Sequence, residues 1–414
     1  MDQTTEQFRD HYADELAFGV SKFLLDHGQL IIRRLLNSLA SPHSTIYLFG
    51  NGGSHAISKC YEYALQAYAC SRKLRVRVQT GVDVHKATLL VTEGRAGSSF
   101  VDVLKTESAD GNDLVVLISG SGNSDNLCEV ARFAEQRGIP VIALLGSGGG
   151  RLSTIIPSAD CFSVPLVDQQ ISEDIIQSLA GLIDLDGLTG PAESWERAVS
   201  TYTRNLQNAI RQVPSSFISR AAEAITYAFF NRKHTWVLGF EHPALSVCAE
   251  HVAHNLYWDA IYEVADPPQR MIFSSPTACD FSGISNDRRR GIVEILTGLS
   301  QLEDDGVGLM FSMTDNHPAL LSLCDRFRQS GIPAFLLCGE GQIQVEGDVV
   351  NMHRTGLRRP QLQALVAQTF GHMLGRLIRM RLIESRGAAR ACNLSNPVKF
   401  LVDFDLAQRR LLDA

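Results

Sequence analysis

At 414 residues the chain is long enough for two domains of ordinary size, each burying its own core. Apolar residues make up 45% and charged residues 20%, with 33 glycines and 14 prolines, which is globular composition and excludes the disordered, fibrous and membrane classes. Lysine plus arginine total 38 against 45 acidic residues, a net charge of −7 with no basic track along which a nucleic-acid backbone could run, so nucleic acid is not an expected partner.

The first residues, Met1–Tyr12, are polar and acidic, and the longest apolar runs, such as Val115–Ile118, are only strand-sized. Neither a secretion signal nor a membrane span is expected. The nine cysteines are scattered without a CxxC pair and read as small buried hydrophobes in a reducing compartment, so the expected location is the cytoplasm.

In chain order, helical periodicity runs through Ala40, and the β-rich run TIYLFG then ends at Gly50. The next β-rich runs are LVVLISGSGNS and PVIALLGSGGG, with the helical segment Asn126–Arg137 between them. Leu188–Trp195, rich in Gly, Pro and acidic residues, is the least structured stretch and reads as a linker. A second helical stretch, Pro191–Asn231, then leads to TWVLG ending at Gly239.

The second passage repeats the first. Arg132–Gly146 reads RFAEQRGIPVIALLG and Asp325–Gly339 reads DRFRQSGIPAFLLCG, with the GIP triplets at Gly138 and Gly331 offset by 193 residues. The same offset pairs Ser119 with Ser312 and Asn123 with Asn316. Apolar runs without polar alternation, separated by helices, predict parallel strands covered on both faces. The expected fold is therefore α/β: two tandem doubly wound parallel-sheet domains of flavodoxin-like type, each preceded by long helices. The expected boundaries are 1–189, 190–390 and a tail at 391–414. Ligands of such sheets bind at the carboxyl ends of the strands.

Two loops of the first half lie at such ends. GNGGSH (Gly50–His55) follows a strand and opens a helix, so its amides and the helix N-terminus can face an anion, and Ser54 adds a hydroxyl. SGSGNS (Ser119–Ser124) repeats the arrangement at the next strand end. Gly/Ser clusters are also ordinary turns; two at corresponding junctions point to one shared phosphate. Neither matches GxxxxGK[ST] or GxGxxG, so no nucleotide cofactor is expected and the ligand reads as a monophosphate.

FGNGGSH, ISGSGNSDNL and GIPVIALLGSGGGRL together resemble the sugar isomerase (SIS) domain, and specifically the phosphoheptose isomerases, over about residues 8–185. The resemblance implies a phosphorylated sugar as ligand, held by Ser54, Ser119, Ser121 and Ser124, with Asn51 and Gly52 shaping the loop and Asp83 touching the sugar. Aldose–ketose isomerisation also needs a base to move a proton and an acid or metal to stabilise the enediol. In that family a His and a Glu four residues apart on one helix, and a Gln and a His eight apart on the last helix, do this. The matching positions here are Cys60, Ala64, Ser172 and Ala180, so all four are lost.

The second half shows the converse. Its loops read GFEHPA (Gly239–Ala244) and SMTDNH (Ser312–His317), with acidic residues expected to repel phosphate. The following helix carries Glu250 and His254 four apart, and one inserted loop residue would place them at the lost His and Glu positions with identities exchanged. His251 is an alternative to His254. His372 falls at the last-helix histidine, with Gln368 one turn before it. Glu250, His254 and His372 are candidate catalytic residues, and Glu250, His254, Gln368 and His372 are candidate ligands for zinc or another divalent ion. The same residues also read as a solvated helix surface.

Tandem halves further resemble the isomerase part of glucosamine-6-phosphate synthase, whose tail supplies a lysine; Lys399 in NLSNPVKFLVDF stands in a comparable place. The expected function is a sugar-phosphate isomerase acting on sedoheptulose 7-phosphate or a similar phosphosugar, the first half holding phosphate and the second supplying acid, base and metal. The alternatives are a non-catalytic sensor or scaffold binding a sugar phosphate, or a different reaction on a related phosphosugar. The expected assembly is a homodimer.

Overall fold

The computed structural model describes residues 2–74, 77–81, 99–164, 168–183, 192–231, 233–257, 273–274, 306–341 and 349–385. The first half comprises α1 (Asp2–Phe23), a π-turn at Leu24–Gly28, α2 (Gln29–Ala40), β1 (Thr45–Phe49), α3 (Gly53–Ser71), β2 (Arg77–Thr80), α4 (Ser99–Thr106), β3 (Leu114–Ser119), α5 (Asp125–Arg137), β4 (Val141–Leu145), α6 (Leu152–Ile155), β5 (Cys161–Ser163) and α7 (Gln169–Ala180). The second comprises α8 (Ala192–Gln212), α9 (Ser215–Phe230), β6 (His234–Gly239), α10 (Pro243–Asn255), β7 (Phe273–Ser274), β8 (Gly306–Thr314), α11 (Pro318–Gln329), β9 (Ala334–Glu340), β10 (Val350–Arg354) and α12 (Pro360–Ser385).

Both sheets are parallel, in the orders β2-β1-β3-β4-β5 and β7-β6-β8-β9-β10. The two orders superimpose strand for strand, so the repeat read in the sequence is a repeat of fold. The order is that of flavodoxin-like sheets, in which the ligand crevice opens where the chain reverses direction across the sheet. Here that point lies between β1 and β3, and between β6 and β8.

Local sequence explains these elements. All six residues of β3, LVVLIS, are buried, as a strand covered on both faces requires. In α5 the buried Leu127, Val130, Ala131 and Ala134 recur at helical spacing. The repeated GIP triplets are helix stops: Gly138 and Gly331 hold φ of 65° and 66°, after which the chain enters β4 and β9. At the π-turn, Gly28 leaves room for Trp195, whose indole N–H donates to the Leu24 carbonyl at 3.2 Å.

By contacts the chain divides into one unit of Glu15–Arg204 and another of Met1–Asp14 with Asn205–Ala414. This contact division falls inside α1 and α8; Trp195 of α8 is buried, its indole on the Leu24 carbonyl, and α8 runs on past it. The first core gathers Tyr47, Phe49, Leu104, Val115, Leu117 and Leu127; the second gathers Trp236, Met310, Leu323, Phe327 and Leu336. Each such side chain contributes about 1.5–3 kcal/mol through burial.

Histidine burial makes stability depend on pH. His353 on β10 is pushed down to about 4 and His251 well below its ordinary value, the first by desolvation, the second by desolvation and then by its histidine neighbours. The unfolded chain takes up protons near pH 6.5 while these folded sites resist them, so their contribution is complete above 6.5 and is lost as pH falls towards 4. Thermal melts between pH 8 and 4 should show Tm dropping across that window, and a smaller drop in His353→Gln.

Candidate active site

In the first half, β1 delivers Gly50–Ser54 and β3 delivers Ser119–Ser124 to neighbouring strand ends. Ser54 and Ser119 are buried, while Ser121 and Asn123 are exposed. The loops are tied together by one amide pair: Asn51 and Asn126 each donate Nδ2 to the other's Oδ1 at 2.9 Å. Within the second loop the Ser119 hydroxyl accepts the Gly122 N–H at 3.0 Å and Ser121 accepts the Asn123 N–H at 3.2 Å. The loop after β4 braces it, with Leu152 N–H on the Gly122 carbonyl, Arg151 N–H on Asn123 Oδ1, and the Arg151 guanidinium on Asp125 at 2.6 Å. Two amide- and hydroxyl-rich loops, each running into a helix N-terminus and tied to one another, present the donors an anion cradle needs.

Other side chains near this cradle have no motif to announce them. His55 follows Ser54, and its ring lies 3.4 Å from where a side chain on Gly81 would begin. Burial, and secondarily Lys59, lowers its pKa, while Glu62 opposes the shift. Glu62 accepts from Thr80 at 2.8 Å and Lys59 at 3.0 Å, so His55, Lys59 and Glu62 share one face of α3 at the end of β2. Gln169 lies over Gly120 and donates to the buried Glu173 at 3.2 Å. Asp83 and Lys399 lie outside the described residues.

The lost catalytic positions are filled by inert groups. Cys60 and Ala64 are buried in α3, and desolvation pushes the Cys60 thiol up to about 12, leaving no thiolate at neutral pH. Ser172 and Ala180 are buried in α7, where the Ser172 hydroxyl donates to the Asp168 carbonyl.

In the second half α12 is buried nearly all round, and Gln368, His372, Arg376 and Arg379 form a buried stripe along it at helical spacing. Gln368 and His372 are therefore not a solvated surface. His372 Nε2 stands 3.2 Å from His251 Nε2, so the histidine brought to His372 is His251; His254 is exposed and Glu250 half-buried. Register explains the difference. Gly50 lies against the Ser54 carbonyl and Gly239 against the Leu245 carbonyl, and six residues beyond these contacts stand Cys60 and His251. Counted this way, the second loop is two residues longer rather than one, and His251 takes the position that Cys60 vacates. The close approach is made at Gly371, where a Cβ would lie 2.3 Å from a Val252 methyl.

The second half's strand ends are self-neutralised. A cleft of about 670 Å³ is lined by Thr314, Asp315, Arg354 and Arg358 among others. Arg354 is paired with the buried Asp315 at 2.6 Å and Arg358 with Glu340.

Residues 31–146 match the SIS domain family. The chain is 31% identical over 143 residues to the phosphoheptose isomerase of Campylobacter concisus, covering 34% of this chain and 74% of that one. It is 27% identical over 192 residues to that of Colwellia psychrerythraea, covering 43% of this chain and 94% of that one. In fold it is similar to tagatose-6-phosphate ketose/aldose isomerase from Escherichia coli (TM-score 0.54, 14% identity, covering 91% of this chain and 94% of that one). A second similar structure is the C-terminal domain of glucosamine-fructose-6-phosphate aminotransferase from Francisella tularensis (TM-score 0.50, 11% identity, 89% and 94%). Among the described residues no helix is long and apolar enough to cross a membrane. With loops that match by sequence in the first half and the same strand order in both, the chain belongs to the SIS-domain family and is a relative of the phosphoheptose isomerases.

Proposed function

We propose that the chain is a sugar-phosphate aldose–ketose isomerase, acting on sedoheptulose 7-phosphate or a similar phosphosugar, in which the two halves have divided the work. The first half holds the phosphate on Ser54, Ser119, Ser121, Ser124 and the loop amides, with Asn51 and Gly52 setting the loop. The second supplies proton transfer through His372 and His251, with Glu250 of the same helix as His251 as a further candidate. The observation that carries this reading is the buried His251–His372 pair in a chain whose other half keeps the phosphate loops. Burial holds His251 neutral, the state a general base needs at pH 7. In the proposed reaction the phosphate contacts act as remote binding groups, whose energy serves the chemistry rather than the phosphate itself.

As an alternative to direct proton transfer by these two rings, the same pair fits a divalent metal. Two imidazole nitrogens on one tetrahedral zinc, each at ~2.0–2.1 Å, lie about 3.3 Å apart; the Nε2 atoms here are 3.2 Å apart and His251 is held neutral. His251 and His372 would hold the ion, with Gln368 and Glu250 as further donors and His254 displaced from the set. Such an ion would polarise the sugar carbonyl. Two chains are proposed to pair, and the cytoplasm is the proposed location.

A second reading, a binder without turnover, is favoured by the inert Cys60, Ala64, Ser172 and Ala180. The test follows sedoheptulose 7-phosphate by NMR in deuterated water, with metal-loaded and metal-stripped protein. Deuterium at the carbon beside the carbonyl supports the isomerase, and binding without exchange supports the binder. Ser121→Ala and His372→Ala should each reduce turnover at least 100-fold, while only Ser121→Ala weakens binding of a sugar phosphate that lacks the carbonyl.

A further inference from the structure

The acidic residue in the second half's first loop does more than repel phosphate. Ser312 and Thr314 stand where Ser119 and Ser121 stand in the first half, and both keep their hydroxyls. Those hydroxyls and the Thr314 amide point at the Glu241 carboxylate: Ser312 Oγ and Thr314 N–H donate to Oε2 and Thr314 Oγ to Oε1, each at 2.6 Å. Three short charge-assisted bonds on two oxygens are the donor pattern a phosphate would meet. The helix N-terminus of α10 follows directly after this loop.

The backbone is bent to allow this. Glu241 holds φ of 69°, a conformation costly for a side chain bearing a Cβ; two residues after Gly50, the corresponding first-loop position is Gly52 at 51°. Each loop thus takes a positive φ two residues after its strand-end glycine, and in the second loop the residue there carries a carboxylate. The two arginines of the neighbouring cleft are likewise matched, to Asp315 and Glu340.

We infer that Glu241 is a built-in occupant of the second half's anion cradle, and that the cradle is a phosphate site kept closed by its own side chain. The inference rests on the reading that the equivalent first-half loops bind phosphate. Wild type then binds one phosphate per chain, and Glu241→Gly, which suits the backbone angle, binds two. Their affinities should agree within about tenfold, because the donors correspond.

Calorimetric titration of the full chain with sedoheptulose 7-phosphate, and separately with inorganic phosphate, counts the sites, and Glu241→Ala guards against a folding defect peculiar to one variant. The expected result is one site in wild type, two in both variants, and one again when Ser312→Ala with Thr314→Val is added. One site in folded Glu241→Gly and Glu241→Ala overturns the inference, as do two sites in wild type or a gained site that survives loss of Ser312 and Thr314. No site in wild type with one in Glu241→Gly would instead sink the first-half reading and leave this one standing.

Discussion

Gly371→Ala should lower turnover by about 100-fold with little loss of stability. A methyl at this position begins 2.3 Å from one Val252 methyl and 2.8 Å from the other. Valine is stiff at χ1 in a helix, so the side chain cannot swing away and α10 and α12 must separate. Overpacking of this kind costs about 1–3 kcal/mol. Alanine regains about 1 kcal/mol of helix propensity over glycine, so the net change is small. Geometry suffers more, because the His251–His372 contact sits beside the point of closest approach and a misplacement of about 1 Å at reacting groups costs on the order of 100-fold. Val252→Ala removes the two clashing methyls and should restore activity to Gly371→Ala when the two are combined, an interaction a double-mutant cycle measures. Failure of that rescue, with the protein folded, would remove the helix contact as the cause.

Gly122→Ala should abolish sugar-phosphate binding, raising Kd more than 100-fold. Gly122 has φ of 66°, and a Cβ there would lie 2.1 Å from the Gly149 carbonyl oxygen and 2.4 Å from its carbon. These are backbone atoms of the bracing loop, so no rotamer change relieves the contact. The left-handed backbone costs an alanine about 1–2 kcal/mol, and the clash adds a similar amount. Gly138→Ala is the control: its φ is 65° but nothing lies within 4 Å of the added methyl. It should lower Tm by the backbone cost alone and leave Kd unchanged. If Gly122→Ala binds normally, the Ser119–Ser124 loop is not the phosphate site.

The fold was legible because the repeat carried strand order with it: the GIP triplets mark the same helix stop in each half, and runs such as LVVLIS announce buried parallel strands. The first-half loops were legible because glycine and hydroxyl residues cluster where strands end. The histidine pair was only half legible. His251 and His254 lie one turn apart on a helix that buries nearly every face, including Ala244–Ala249, Val252 and Asn255, so periodicity marks no single inward side. Glu241 was visible as an acid but not as a ligand of its own loop, since that depends on a backbone angle and on Ser312 and Thr314, more than 70 residues away. His55, Glu62, Gln169 and Glu173 carry no motif, and only the folded chain brings them to the strand ends.

The amide pair between Asn51 and Asn126 also gives the cradle a shelf life. Asn51 is exposed and precedes Gly52, and with no side chain to shield it the glycine nitrogen can attack the asparagine carbonyl, expel ammonia and leave aspartate or its isomer after hydrolysis. The product has no Nδ2 to donate to Asn126, so one of the two bonds of the Asn51–Asn126 pair is lost, and it brings a negative charge to the rim of the proposed phosphate site. The residue that spaces the loops is thus the one by which they age, and chemical damage would give the first half what Glu241 already gives the second.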